Sequence, residues 1–284
     1  MKTRLFNYLR LPLALAAIGN GCAWTGTTEE KIPDLPQPRM SLDSVGLEIG
    51  FARWPVEVRQ ERLWNEIDET PLPPDLRRRL APNGLRCGVV GTQVPEALRQ
   101  LLDDKSGQDA VKVESVGQAG TDRAPPWRRL HSRADQRGEI VTSNTSEKLD
   151  VLFRKNREII GHTYRDAQCF FSIRTQPLGD GRARVILIPE IHHGNPQRNW
   201  AGDTGMWRFD VSRDRKEFEQ LRIEVVLVPG ESVVVGCTPE IRGLGQHFFV
   251  GPDRASQKLL IIRLAQTQQD NLFPTSELAG GGVG

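Results

Sequence analysis

Short apolar runs rich in Val, Ile, Leu and Phe fill the chain from residue 139 to residue 265, and turn-forming residues separate them. Runs of this composition are typical of β-strands, and strands this short cannot bury a face alone. The sequences Gly179-Asp180-Gly181 and Pro229-Gly230-Glu231 are of the kind that joins neighbouring strands in hairpins. We therefore predict a mainly antiparallel, sandwich-like β domain over residues 139–265. Its expected strands are 149–154, 158–165, 169–176, 182–191, 206–211, 221–228, 232–237, 246–250 and 258–265.

A smaller unit of mixed character precedes this domain at residues 43–104. It contains strand patterns at 45–54 and 85–90, and apolar residues at helical spacing within 56–68, 75–80 and 93–102. Residues 105–138 lose this periodicity, which predicts a linker or an extended excursion with one or two edge strands. The expected fold class is α+β, a small N-terminal α/β unit followed by the β domain. Residues 266–284 are expected to form a flexible tail.

Residues 1–21 have the organisation of a secretory signal peptide. A basic stretch precedes a short apolar run at 11–18, and small residues follow it. The run is too short to cross a hydrocarbon core, which needs roughly 20 residues. Cys22 comes next, and the stretch resembles a lipobox, the sequence at which bacterial lipoproteins are acylated on cysteine. Either Cys22 is lipidated or the chain is cleaved near Ala23 as an ordinary exported protein.

The segment after this signal indicates how the folded part of the protein would be connected to an N-terminal anchor. Residues 22–42 are polar and rich in proline, which predicts an extended tether. The N-terminus as a whole therefore predicts an exported protein located in the periplasm or associated with the outer membrane.

The other cysteines and the charge narrow the classes of partner. Cys87, Cys169 and Cys237 lie in apolar runs without the spacing of a zinc site, so we expect buried thiols. The alternative is a disulfide between two of them in an oxidising compartment.

The chain has 38 Lys+Arg against 36 Asp+Glu, too even a balance for a nucleic-acid-binding arm. The arginine-rich segment 123–137 is accordingly expected to be a solvated surface, and we expect no nucleic-acid partner.

The chain contains none of the GxSxG, HExxH or GxxxxGK[ST] motifs. The best chemical candidate is Glu190, His192 and His193, where strand alternation places Glu190 and His192 on one face and His193 on the other. With a distant third ligand, these side chains could bind a divalent metal; the candidates for that ligand are His162, His247 and Asp203. The favoured alternative is that the rings lie at the solvent-exposed end of a strand. That interpretation predicts no catalytic residue and no cofactor.

Two tryptophans suggest a contact surface. Trp200 and Trp207 flank the sequence AGDTGM, which reads as a loop. Rings held there would contact a glycan or another protein, or they would close the rim of the sandwich.

Residues 182–265 resemble the C-terminal core of the secretins, the outer-membrane channels of type II and type III secretion. In that family a strand ending near Pro-Glu precedes a variable loop, a strand pair turns on a glycine, an LGxxF segment follows, and an apolar strand closes the domain. The corresponding residues here are Pro189-Glu190, Gly230-Glu231-Ser232, Leu244-Gly245 with Phe248, and 259–262. The resemblance implies a subunit of a multimeric outer-membrane assembly.

The favoured interpretation is an exported envelope protein, lipid-anchored if Cys22 is acylated, that acts as a non-catalytic binding or structural module. It would contact the membrane through its acyl chains, and an envelope protein or a glycan through its sheet edges or the Trp200–Trp207 loop. One alternative is the secretin-like subunit. The other is a metal-dependent hydrolase that uses Glu190, His192 and His193.

Overall fold

The computed structural model describes residues 43–56, 61–103, 127–203, 206–252 and 254–268, with the backbone alone described at 197–203 and 206–212. The predicted signal peptide, Cys22, the tether and most of the tail lie outside the described residues. The helices and strands, in chain order, are β1 (Ser44–Pro55), α1 (Glu61–Asn65), α2 (Pro74–Leu80), β2 (Leu85–Val90), α3 (Glu96–Asp103), β3 (Trp127–Arg133), β4 (Gly138–Val141), β5 (Ser146–Lys155), β6 (Glu158–Pro177), β7 (Ala183–Asp203), β8 (Met206–Glu217), β9 (Ile223–Leu227), β10 (Ser232–Cys237), α4 (Gly243–Phe249) and β11 (Ser256–Gln268).

Two antiparallel sheets form the body of the molecule. The first sheet has the strand order β2-β10-β11-β1-β3. The second has the order β4-β6-β7-β8, with β5 paired to β6 and β9 paired to β7. Every strand pairing of the described residues is antiparallel. The predicted α+β class with a sandwich-like β portion is confirmed.

The central strands of the first sheet, β10 and β11, are buried on both faces along most of their length, and their sequences reflect this. In β11, Leu260 and Ile262 belong to the main core shared with the second sheet, whereas Leu259 and Ile261 pack in a second cluster with side chains of α1 and α3. Alternation sends successive side chains to opposite faces, so burial on both sides requires an uninterrupted apolar run. Helices α1 and α3 thus cover one face of the first sheet and the second sheet covers the other, whereas the apolar side chains of α2 and α4 belong to the main core.

The first sheet draws its strands from both predicted units. β1, β2 and β3 come from the segment before residue 139, and β10 and β11 come from the segment after it. β3 is an edge strand, as expected for the segment 105–138. Residues 43–104 and 139–265 therefore share one sheet and one core.

The strand predicted at 246–250 is wrong, because this segment lies in helix α4. Leu244, Phe248 and Phe249 are all fully buried. At 3.6 residues per turn the three side chains span about 140° of the helix circumference and can all face the core, whereas a strand would direct Phe248 and Phe249 to opposite faces.

The turn at Pro229-Gly230-Glu231 does not join a hairpin. β9 pairs with β7 in the second sheet, and β10 pairs with β2 and β11 in the first. The reason lies in burial: β9 alternates buried and exposed residues, whereas all of β10 is buried and needs cover on both faces. Gly230, with φ of 94°, carries the chain from one sheet to the other.

β6 and β7 diverge beyond the paired residues Gln168 and His192. From there β6 pairs with β5, forming what we call the β5–β6 hairpin, residues 146–167. β7 continues with β8 as the β7–β8 ribbon, residues 197–203 and 206–212. Asp166 and Gly194, at φ of 48° and 77°, lie at the point of divergence, where positive φ redirects each strand.

Candidate functional site

The outer face of the second sheet, opposite the core, carries a group of ionisable side chains. Glu190 of β7 is paired in register with Phe170 of β6 and Glu217 of β8, and His192 follows two residues later on the same face. Arg137 immediately precedes β4, and Glu139 is the second residue of that strand. We call this group, Arg137, Glu139, Glu190, His192 and Glu217, the Arg137 cluster.

Arg137 is the centre of the cluster. Its Nη2 donates to Glu190 Oε2 at 2.5 Å and to Glu139 Oε1 at 3.3 Å, and its Nη1 donates to Glu217 Oε1 at 3.2 Å. His192 Nε2 lies 3.1 Å from the same Oε2 of Glu190. The Glu190 side chain is 0% exposed and that of Arg137 22%. One guanidinium thus connects three carboxylates from three strands.

The environment keeps Glu190 ionised. Burial by itself would raise the pKa of this carboxyl, but hydrogen bonds from His192 and Ser172 and the charge of Arg137 outweigh it, so the pKa lies below its ordinary value. Burial would in turn lower the pKa of Arg137, and the charge of Glu190 together with Glu217 and Glu139 raises it instead. A carboxylate with a lowered pKa is a weak base, which makes Glu190 a poor proton acceptor at neutral pH.

The cluster has part of the donor set of a metal site. One ligand atom each of Glu139, Glu190 and His192 lies within 4.8 Å of the others. Arg137, however, already donates to both carboxylates, and a divalent ion there would lie beside a guanidinium held on the same oxygen atoms. The arrangement is that of a partly buried ion-pair network, in which Arg137, Glu139 and Glu217 are partly exposed and Glu190 is fully buried.

The structure separates the sequence-predicted ligands. Glu190 and His192 come together, but His193 packs against Tyr164 at a ring-centroid distance of 4.8 Å, away from the cluster. His162 contacts the same tyrosine at 4.4 Å. His247 lies in α4, and the side chain of Asp203 is outside the described residues. Glu139, which the sequence did not indicate, supplies a carboxylate oxygen as the third possible ligand atom beside Glu190 and His192.

Trp200 and Trp207 lie on the paired strands of the β7–β8 ribbon rather than in an open loop. Trp200 is in register with Phe209, and Trp207 with Gly202. β7 reaches Asp203 and β8 begins at Met206, so the connection between the strands is short. Both tryptophans thus lie near the end of the ribbon that Asp203 and Met206 mark.

Cys87, Cys169 and Cys237 are free and buried, as expected for the predicted buried thiols. Burial raises the pKa of Cys169 and of Cys237 to about 12, and it raises the pKa of Cys87 as well. Because the thiolate is the reactive form, these side chains are poor nucleophiles.

A cavity of about 350 Å³ lies between α2, the start of β2 and the segment that precedes α4. Arg77, Arg86 and Arg242 line it together with Glu69 and Glu240. Arg86 is paired with Glu69. The nearly balanced charge gives this cavity no clear preference for a cationic or an anionic ligand.

None of the described helices combines the length and the apolar character needed to cross a membrane. Comparison with protein-family models, curated proteins and solved structures finds no match to this chain.

Proposed function

We propose that this protein is an exported, lipid-anchored envelope protein that acts as a non-catalytic binding module and engages another envelope component through the β7–β8 ribbon. The export and anchoring part of the proposal is supported by the signal-like residues 1–21 and by Cys22. The binding part is supported by the form of the ribbon.

The proposed binding role rests on the β7–β8 ribbon. Its pairing runs from Gln197 and Ser212 to Asp203 and Met206, whereas β6 leaves β7 at His192. Among the described residues no third strand pairs with the ribbon. Unpaired strand edges offer backbone donors and acceptors to which a partner strand can add.

The chemistry of the Arg137 cluster supports a role without catalysis. Glu190 is fully buried, and its Oε2 is engaged by both Arg137 and His192. The three described thiols are buried and protonated. These groups therefore favour structure and binding over proton transfer or nucleophilic attack.

Export and anchoring are tested by expressing the full chain in a bacterial host fed a clickable palmitate. We expect the label on the wild-type chain and recovery of that chain with membranes. Cys22→Ser should lose the label and appear in the soluble periplasmic fraction, while the neighbouring control Ala23→Ser should keep the label. Unprocessed wild-type chain in the cytoplasm would contradict the proposal.

The ribbon is tested in the same cells with a photo-crosslinking amino acid in place of Trp200 or Trp207. We expect a crosslinked product from these positions and none from Arg78, whose side chain is 78% exposed on α2. Equal crosslinking from the ribbon and from Arg78 would remove the ribbon from the proposal.

A further inference from the structure

The end of the β5–β6 hairpin, which we call the hairpin tip and define as residues 152–160, exposes large apolar side chains. Leu152 is 61% exposed, Ile159 66% and Ile160 43%. In the strand register Leu152 is opposite Gly161, and Ile159 is opposite Arg154. Leu152, Arg154 and Ile159 thus share one face. An exposed group of apolar side chains of this kind marks an interaction surface.

Basic side chains surround this apolar group. Arg154, Lys155 and Arg157 are all exposed, and Glu158 is the one acidic residue of the tip. Among the described residues the three basic side chains form no ion pair. The three basic side chains against one acidic side chain therefore give the tip a net positive charge next to apolar surface.

The hairpin is held firmly in this position. The amide of the buried Asn83 accepts from the backbone N–H of Arg154 at 2.7 Å and donates to its carbonyl oxygen at 3.0 Å. Phe153 is buried against Phe218 with ring centroids 5.0 Å apart. Leu152 and Ile159, on the face opposite to Phe153, are thus fixed outward and do not fold back onto the core.

We propose that the hairpin tip docks on an anionic lipid bilayer. Leu152 and Ile159 would enter the headgroup region, and the three basic side chains would contact lipid phosphates. Apolar side chains flanked by Lys and Arg are the composition that binds the interface of anionic membranes. The charge of the tip complements such a surface, whereas a neutral bilayer or a basic protein would leave it uncompensated.

The biological setting of this contact rests on the proposed export to the envelope, but the lipid binding itself is tested without it. The chain with Cys22→Ser, purified without an acyl group, is sedimented with vesicles of phosphatidylglycerol and phosphatidylethanolamine or of phosphatidylcholine alone. We expect binding to the anionic vesicles, weaker binding as salt rises, and little binding to the neutral vesicles. Loss of acylation or export in cells would leave this result unchanged.

Two variants separate the charge from the apolar contribution. The double variant Lys155→Gln, Arg157→Gln should lower the partition coefficient at least about tenfold. Leu152→Ser with Ile159→Ser should also lower it about tenfold. The matched controls are Arg78→Gln with Arg99→Gln, which removes the same charge from α2 and α3, and Val226→Ser, at a side chain 42% exposed on β9. Both controls should bind as the parent does.

The proposal is overturned by absence of binding to anionic vesicles, by equal binding to neutral vesicles, or by equal losses in the controls. A dimer in sedimentation equilibrium that Leu152→Ser abolishes would assign the tip to a second copy of the chain instead. All of these positions are exposed, and circular dichroism of each variant verifies the fold.

Discussion

At the scale of single residues, the most constrained group is the buried carboxylate of Glu190. Arg137 compensates its charge, with a side chain that is only 22% exposed. Removing one partner of a buried ion pair leaves the other charge without compensation, which costs more than the pair itself contributes.

We predict that Arg137→Leu lowers the free energy of unfolding by about 3–5 kcal/mol, measured by urea denaturation. The matched control is Arg129→Leu. Arg129 also pairs with a glutamate, Glu48 at 3.4 Å, but its side chain is 77% exposed, and we expect a loss below about 1 kcal/mol. Equal losses in the two variants would show that burial of Glu190 does not govern stability.

Glu190 also makes stability depend on pH. Its pKa is lower in the folded chain than the ordinary value of 4.5, so its contribution is fully present above that value and is lost as the pH falls through the folded-state pKa. We predict that the stability difference between the wild type and Glu190→Gln is largest near neutral pH and shrinks in acid. Urea denaturation of both proteins from neutral pH to pH about 3 measures it; a difference that widens in acid would contradict the assignment.

At the scale of elements, helix α4 shows how packing decides local structure. A Cβ on Gly245 would overlap the carbonyl oxygen of Gly84, and a Cβ on Gly84 would overlap that of Arg242. Gly84 and Gly243 have φ of 75° and 57°. The start of α4 therefore lies backbone to backbone against the turn that precedes β2.

We predict that Gly245→Ala destabilises the protein by about 1–3 kcal/mol, as overpacking does. The same substitution in an exposed helix would raise the free energy of unfolding by about 1 kcal/mol. The sign of the change in that free energy therefore tests whether Gly245 is in close backbone contact. The control is Gly161→Ala, whose Cβ would meet Leu152 at an ordinary 3.6 Å; there we expect a change within about 0.5 kcal/mol. A thermal melt that shows Gly245→Ala to be stabilising would refute the close contact.

At the scale of the whole molecule, the first sheet joins distant parts of the chain. β11 pairs with β1 and with β10, and β10 pairs with β2. The main core continues from this sheet into the second. If the segments before and after residue 139 separated, the strands of the first sheet would lose pairing partners and buried apolar contacts.

We predict that the protein unfolds in one cooperative transition. Tryptophan fluorescence includes the signal of the buried Trp54 and Trp64 of the helix-covered face among six tryptophans, and far-ultraviolet circular dichroism reports on both sheets. Their urea transitions should coincide, and a fragment of residues 139–268 should show no cooperative unfolding. Two separated transitions would instead indicate two independent units.

The sequence by itself determined most of the elements, because alternation and turn residues act locally. β1, β2, β5, β10 and β11 lie where apolar alternation or an apolar run predicts them, and the buried cysteines follow from the same runs. Phe248 and Phe249 show the limit of this reasoning, since an apolar pair suits a strand or a helix until its neighbours are known.

Only the tertiary structure decided which strands pair and which charges meet. Arg137 and Glu190 are 53 residues apart in the chain, and no local pattern connects them. They meet because β4 and β7 both flank β6, and the burial of one carboxylate there selects an arginine as its partner. The divergence of β6 from β7, which creates the hairpin tip and the ribbon, likewise depends on long-range register that alternation does not encode.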